Sequence, residues 1–544
     1  MHDAIIIGGG HNGLVCAAYL ARAGLDVVVL ERRDILGGAA VTEEFAPGFR
    51  NSTASYTVSL LNPKIIRDLE LARHGLRIVE RPVSNYLPSP GERGLTVGGG
   101  PDATRRAIAE RSPADAERLP RFMAVLDAVA EQLRALLLVT PPAPGRGLGD
   151  YVRALSVGRQ LRRLGTEERR DVLELFTRSA GDLLDYWFEN NLVRAAFGFD
   201  AVVGNYASPY EPGSAYVLLH HAFGEVNGKR GAWGHALGGM GAISDAIAAD
   251  AASHGAKLRT NAAVGRVLAQ HGEVTGVALA DGTEIRARTV VSAINPKLLF
   301  LKLIERDQLP EDLVRRMERY RCGSATLRMN VALSELPELP ALGPGQHPEH
   351  ASGIIIGPSL AYMDEAWRDA RARGWSRRPV VELLIPSLLD PSLAPPGQHV
   401  ASLFCQHFAP TLPEGRSWSD VREQVADQVI AHVSEFSPNF SRAVVGRLVL
   451  TPQDLETRLG LVGGDIFHGA LGLDQLFSAR PVLGHGDYRG PLAGLYLSGA
   501  GTHPGGGVTG IPGHNTAREV LRDLRRRRWR KPPDGGPTTR PARA

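Results

Sequence analysis

The chain has 544 residues, 43% hydrophobic and 22% charged, with a formal net charge of +4. That composition is ordinary for a globular protein, and the length calls for two domains rather than one core. No apolar run reaches the roughly 18 residues needed to span a bilayer, and a first strand at Ala4 leaves no room for a signal or transit peptide, so the expected location is the cytoplasm.

Ala4–Ile7 reads as a strand, Gly8-Gly9-Gly10-His11-Asn12-Gly13 as a turn, and the amphipathic run to Gly24 as a helix. Val27–Leu30 is a second strand, ending at Glu31. Strand, glycine turn, helix, strand and acid in this order suit a dinucleotide. Gly8 permits the tight turn, Gly10 lets the backbone approach a pyrophosphate, and Gly13 lets the helix lie close to the sheet. Free N–H groups at the helix start attract phosphate charge, and the Glu31 carboxylate can accept ribose hydroxyls. With 62 glycines such spacings also arise by chance. The flanking strand, helix and acid argue against coincidence here.

Arg32 follows, and then the pair Gly37-Gly38 leads into Ala39-Ala40-Val41-Thr42. This resembles the second glycine turn of the large FAD family that includes amine oxidases and carotenoid desaturases. Many of those proteins carry Arg after the two glycines, where this chain has Ala39. Further on, Gly238-Gly239-Met240-Gly241 precedes a helical run, Ala242 to Ser253. Lys257–Asn261 and Val264–Leu268 read as strands, Asp281-Gly282 as a hairpin turn, and Thr289–Ala293 as a returning strand. Near the end, Gly494–Gly513 is a short strand and a glycine-dense turn, leading into a helix through Asn515–Leu521. The N-terminus of that helix presents N–H groups and a partial positive charge.

Together these segments are similar to those of the phytoene-desaturase-like FAD-dependent oxidoreductases. Asn51–Tyr56 with Leu60–Pro63, and Ala215–His221, narrow the resemblance to the pyridine nucleotide-disulfide oxidoreductase domain-containing protein 2 group. It spans the chain to about Arg525. It implies non-covalent FAD, held by Gly8, Gly10, Gly13, Glu31, Arg32, Gly37, Gly38, Val264 (adenine, through its backbone), Gly499, Ala500, Gly507 and Val508. The fold class it implies is α/β: a discontinuous Rossmann-type FAD-binding domain (1–80, 232–298, 488–524) with an inserted mixed α+β substrate domain (81–231, 299–487). Residues 525–544 form a basic, Pro/Gly-rich tail.

Cys16, Cys322 and Cys405 are far apart and form no redox motif, so the "disulfide" of the group's name is not expected as an activity. No second glycine fingerprint supplies a site for NADH or NADPH. Candidate catalytic side chains are His503, inside the C-terminal motif, and Tyr56, after the second glycine turn. His503 has a competing reading as a structural hydrogen bond. His220-His221 lack further ligands at metal spacing, so no metal is expected. Tyr186-Trp187-Phe188 with Phe197 and Phe199 read either as an apolar tunnel or as core. No charged cluster near the motifs suits an acidic substrate. The expected substrate is therefore apolar, a polyene among the possibilities, giving up hydride to the flavin N5, with oxygen or a quinone as final acceptor. An isomerase, an amine-oxidase-like enzyme and a flavin-binding regulator are the alternatives. The amine reading would want aromatic residues and a Lys near the flavin, and the C-terminal motif is nearly free of aromatics. Arg525–Lys531 reads as a solvated terminus or as a contact with anionic lipid. No nucleic-acid motif accompanies it.

Overall fold

The computed structural model describes residues 1–89, 91–143 and 148–530. Strand His2–Ile7 lies inside a sheet, parallel to Val27–Leu30 on one side and to Glu284–Ser292 on the other. Lys257–Arg259 pairs parallel with Val27–Leu30, and Leu495–Leu497 with Glu284–Ser292. The near half of Glu284–Ser292 runs antiparallel to Glu273–Leu279, which pairs in turn with Val264–Gln270. Ile5, Ile6, Val28, Val29, Val290 and Val291 are all buried. Parallel strands covered on both faces read as continuous apolar runs for this reason.

Helices His11–Arg22, Gly241–Ser253 and Ile511–Arg530 share the core on one face of this sheet. Glycine brings the first and last of them together: a Cβ on Gly513 would stand 2.2 Å from the Asn12 carbonyl oxygen. A Cβ on Gly13 would stand 2.3 Å from the Gly8 carbonyl oxygen, so that residue seats the first helix on the sheet. The last helix continues to Arg530, past the expected boundary at 525. Arg489 anchors it by donating to Glu519 and Asp523. Lys531 and the rest of the tail lie outside the described residues.

The second sheet has seven strands, in the order Val444–Leu450, Thr326–Leu333, His399–Phe408, Trp375–Leu384, Gly353–Ile356, Asn85–Ser89, Glu92–Val97. Only Gly353–Ile356 with Asn85–Ser89 is a parallel pair among them. Helix Trp418–Ser434 packs Val425, Val429 and Val433 against Leu327, Met329, Val331, Val381, Leu383, Leu403 and Cys405. By strand alternation, Arg328, Glu382 and Phe404 point from the opposite face. Phe404 is the register partner of both Arg328 and Glu382, so the three stand in one row across neighbouring strands. Hairpin Thr42–Ala46 and Phe49–Ser52 reaches this sheet through Asn51, whose Nδ2 donates to Asn330 Oδ1 at 3.0 Å.

A helical tier covers the remaining side. Phe122 there packs edge-on against Trp187, Phe188 and Phe197 at centroid distances of 5.0–5.6 Å. These rings form core, the second of the two readings their sequence allows, and Tyr186 is exposed to solvent. No helix among the described residues is long and apolar enough to cross a membrane.

Candidate cofactor and substrate site

A cavity of about 350 Å³ opens between the two sheets. Gly8, Gly10, Glu31, Arg32, Gly38, Val264, Ala500, Gly507 and Val508 all line it. Gly10 faces open space: the nearest atom to a Cβ there would be Gly38 Cα at 3.9 Å. Gly13, Gly37 and Gly499 stand behind the wall, where a Cβ would meet the carbonyl oxygens of Gly8, Ala40 and Ala293 at 2.3, 2.5 and 2.7 Å. Glu31 Oε2 accepts from the Gly9 N–H at 2.8 Å and Oε1 from the Arg33 N–H at 2.9 Å. Each oxygen keeps a lone pair for a ribose hydroxyl. Arg32 is tied across the interface, its Nη2 donating to the Thr457 carbonyl at 3.0 Å. Val508 holds a left-handed φ of 55°, costly for a β-branched residue and found mostly at functional sites.

Four polar atoms of cavity-lining residues are buried with no hydrogen-bond partner: His11 Nε2, Asn12 Oδ1, Arg33 Nη1 and His468 Nδ1. Each such orphan costs about 1–3 kcal/mol, so their gathering around one cavity fits a polar ligand there. Burial lowers both imidazoles to about 4. The glycine-sided approach, the helix N-terminus, the orphaned atoms and the Glu31 carboxylate together fit FAD.

The far wall is built differently. Leu60, Val203, Trp233, Phe404, Ile466 and Phe467 line it with Tyr56. The Tyr56 ring stacks on Phe404 at 5.3 Å and lies under the Arg328 guanidinium at 4.3 Å. Its hydroxyl donates to Glu382 Oε2 at 2.5 Å. Arg81 completes the group, with Nη1 3.5 Å from Glu382 Oε1 and Nη2 donating to Thr57 Oγ1 at 2.6 Å. Burial, and then the Glu382 charge, push the Tyr56 phenol well above its usual range. The same two causes, in the same order, push the Asp200 carboxyl up to about 7. Behind Tyr56 a void of about 10 Å³, lined also by Arg81 and His235, has room for about one water.

The expectation that no charged cluster near the flavin motifs suits an acidic substrate concerns the cavity lining, and Arg81, Arg328 and Glu382 lie buried outside that lining, behind Tyr56. Arg328 and Glu382 were missed, although each is a lone charge inside an apolar strand, Leu327-Arg328-Met329 and Val380-Val381-Glu382-Leu383-Leu384. The aromatic rings that the C-terminal motif lacks come from other segments. His503 is a correction too: its Nε2 meets the Leu136 carbonyl at 3.0 Å and its ring packs edge-on against Phe477, outside the cavity lining. His221 reaches the lining, its Nδ1 committed to the Val217 carbonyl at 2.8 Å. Among the described residues no group of His, Cys, Asp or Glu could hold a metal ion. The three cysteines are free thiols.

A family model described as flavin containing amine oxidoreductase matches residues 13–521. The chain is 43% identical to pyridine nucleotide-disulfide oxidoreductase domain-containing protein 2 of Rattus norvegicus, covering 96% of this chain and 94% of that one. It is 26% identical to the lycopene-forming phytoene desaturase of Pseudescherichia vulneris, covering 96% and 100%. Among solved structures, an oxidoreductase from Methanosarcina mazei shares the fold with a TM-score of 0.61 at 16% identity, covering 96% of this chain and 100% of that one.

Proposed function

The chain belongs to the flavin-containing amine oxidoreductase family, with FAD as its cofactor, and on that premise we propose that it desaturates an apolar, polyene-like substrate. The observation that carries this reading is the composition of the far wall. Its large side chains are aliphatic and aromatic, and among them stands the Tyr56 hydroxyl, hydrogen-bonded to Glu382. The charged residues of the lining, Glu31, Arg32, Arg33 and Lys302, belong to segments on the cradle side, Lys302 beside strand Val264–Gln270. A phytoene desaturase among the relatives supports the same substrate class.

Bound FAD supplies an acceptor for two electrons and a hydrogen. The chain's own residues do the rest. The apolar wall holds a hydrocarbon and excludes water. Forming a carbon–carbon double bond releases a proton as well as a hydride. The Tyr56 oxygen receives that proton while its own proton passes to Glu382 Oε2. Arg328 over the ring face favours negative charge on the phenol during the transfer, and Arg81 fixes the carboxylate. Oxygen or a quinone would take up the two electrons removed from the substrate. The basic run Arg525–Lys531 would keep the enzyme near a membrane in which such substrates dissolve. Loss of liposome binding on removing it checks that part.

A second reading, oxidation of an amine, draws on the four rings at the same wall, Tyr56, Trp233, Phe404 and Phe467. Anaerobic bleaching of the flavin by phytoene, against a panel of primary amines, decides between the two. Bleaching by phytoene is expected. Bleaching by amines alone would overturn the apolar reading, and no bleaching with any donor would favour a flavin-binding regulator. NADPH should bleach the flavin slowly or not at all, since the only nucleotide fingerprint is used by FAD.

A further inference from the structure

The cradle contains two imidazoles that the fold leaves without partners. His11 opens helix His11–Arg22 directly after Gly10, and its Nε2 is buried and unbonded. His468 approaches from the inserted domain, and its Nδ1 is likewise buried and unbonded. Both line the cavity beside Asn12, which is 4% exposed and keeps an unpartnered Oδ1. Arg480 lies behind His468, fully buried. Its guanidinium donates to the carbonyls of Phe467, Gly469, Ala470, Gln475 and Ala500. No carboxylate among the described residues stands within ion-pair distance of it.

We propose that His11 and His468 are ligands of the dinucleotide's pyrophosphate and take up protons as it binds. The pyrophosphate carries two negative charges, and the helix N-terminus beside Gly10 already draws it to this end of the cavity. A histidine in a dry, positive setting stays neutral, and a ring nitrogen facing a phosphate oxygen becomes a charged donor. Burial lowers His11 to about 4. Burial lowers His468 to about 4, with His11 and Arg480 repelling its proton as well. The titratable and charged groups around them are Arg480 and each other, Glu31, Arg32, Arg33 and Lys302 in the rest of the lining, and Asp465 three residues before His468. The Asp465 carboxylate is occupied by the N–H groups of Gly323, Phe467 and Gly469 and by the Ser324 hydroxyl. An anion entering beside the two rings reverses the sign of their surroundings.

The linkage has a definite direction. The bound-state pKa of each ring lies above its free-state value. Affinity is therefore full at low pH and falls as pH rises through the bound-state pKa, by up to about tenfold per unit for each proton taken up. Holo-protein diluted into buffers between about pH 6 and pH 9, with FAD release read by flavin fluorescence, measures this. The wild-type dissociation constant should rise about tenfold or more across that range. His11→Gln and His468→Gln should each weaken binding at the acid end and flatten the slope, and the double variant should show no slope. His468→Arg should retain FAD at the alkaline end. Circular dichroism melts check that the variants fold. Should they not, the heat of FAD rebinding in buffers of different ionisation enthalpy still counts the protons taken up by the wild type. A pH-independent wild-type constant, zero proton uptake near pH 7, or an unchanged slope in the double variant overturns the proposal.

Discussion

The cradle and the far wall of one cavity are built from different materials. The cradle is largely backbone: glycine turns, a helix start and strand ends, each from a short stretch of sequence, joined by the side chains of Glu31, His11, Asn12 and His468. The far wall is side chains gathered from distant strands, Tyr56 meeting Glu382 across 326 positions. Backbone sites are written locally, because a missing Cβ or a positive φ is a property of one residue. Side-chain sites are written in the register of a sheet, because Arg328, Phe404 and Glu382 become neighbours only once three strands pair.

The comparison breaks most visibly at the glycines. Gly13→Val should abolish folding, since a Cβ there would lie 2.3 Å from the Gly8 carbonyl oxygen and 2.9 Å from Ala293 Cβ. Soluble yield and circular dichroism check it. Gly10→Val should fold but come out colourless, because a Cβ there meets no protein atom closer than 3.9 Å and the side chain would occupy the space of the pyrophosphate instead. If both variants behave alike, the cradle is not divided into packing and binding glycines.

On the far wall, Tyr56→Phe and Glu382→Gln should keep FAD and slow substrate-driven bleaching by about 10²–10⁴-fold, the usual span of general acid–base catalysis. Bleaching at the wild-type rate would leave the pair without a chemical part.

The smallest expected effect concerns Asp200. Its carboxyl is held at about 7 when folded, against 3.8 for the free group. Between those values the unfolded chain has released a proton that the folded chain still holds, so stability falls as pH rises through that window. Asp200→Asn should remove this slope from urea melts taken at several pH values. Glu382→Gln should narrow the window by lowering the Asp200 pKa, and an unchanged window would show that burial alone sets it.

The nucleotide half was legible because its signals are contiguous: Ala4–Glu31, the hairpin turn at Asp281-Gly282, and the Gly494–Gly513 segment all take the expected conformations. His503 shows where a motif misleads. It lies in a cavity-forming segment, yet its ring turns toward Leu136 and Phe477, and sequence proximity carries no information about side-chain direction. The extension of the last helix to Arg530 was hidden by composition, since a run of arginines reads as a loose terminus until Arg489 supplies the acids of that helix with a partner. Glu382 and Arg328 could have been found by asking why a charge interrupts an apolar strand, a buried charge being rare unless it is paired.

The contact between helices His11–Arg22 and Ile511–Arg530 has a consequence for how the protein is made. A ribosome delivers the first helix long before the last, and strand Leu495–Leu497 is also late in reaching its place beside Glu284–Ser292. Until then Leu14, Val15 and Cys16, all buried in the finished molecule, have no permanent cover. Pairings of such long sequence separation form slowly. The nascent chain therefore carries an unfinished nucleotide fold until residues 495–530 have been made and have paired.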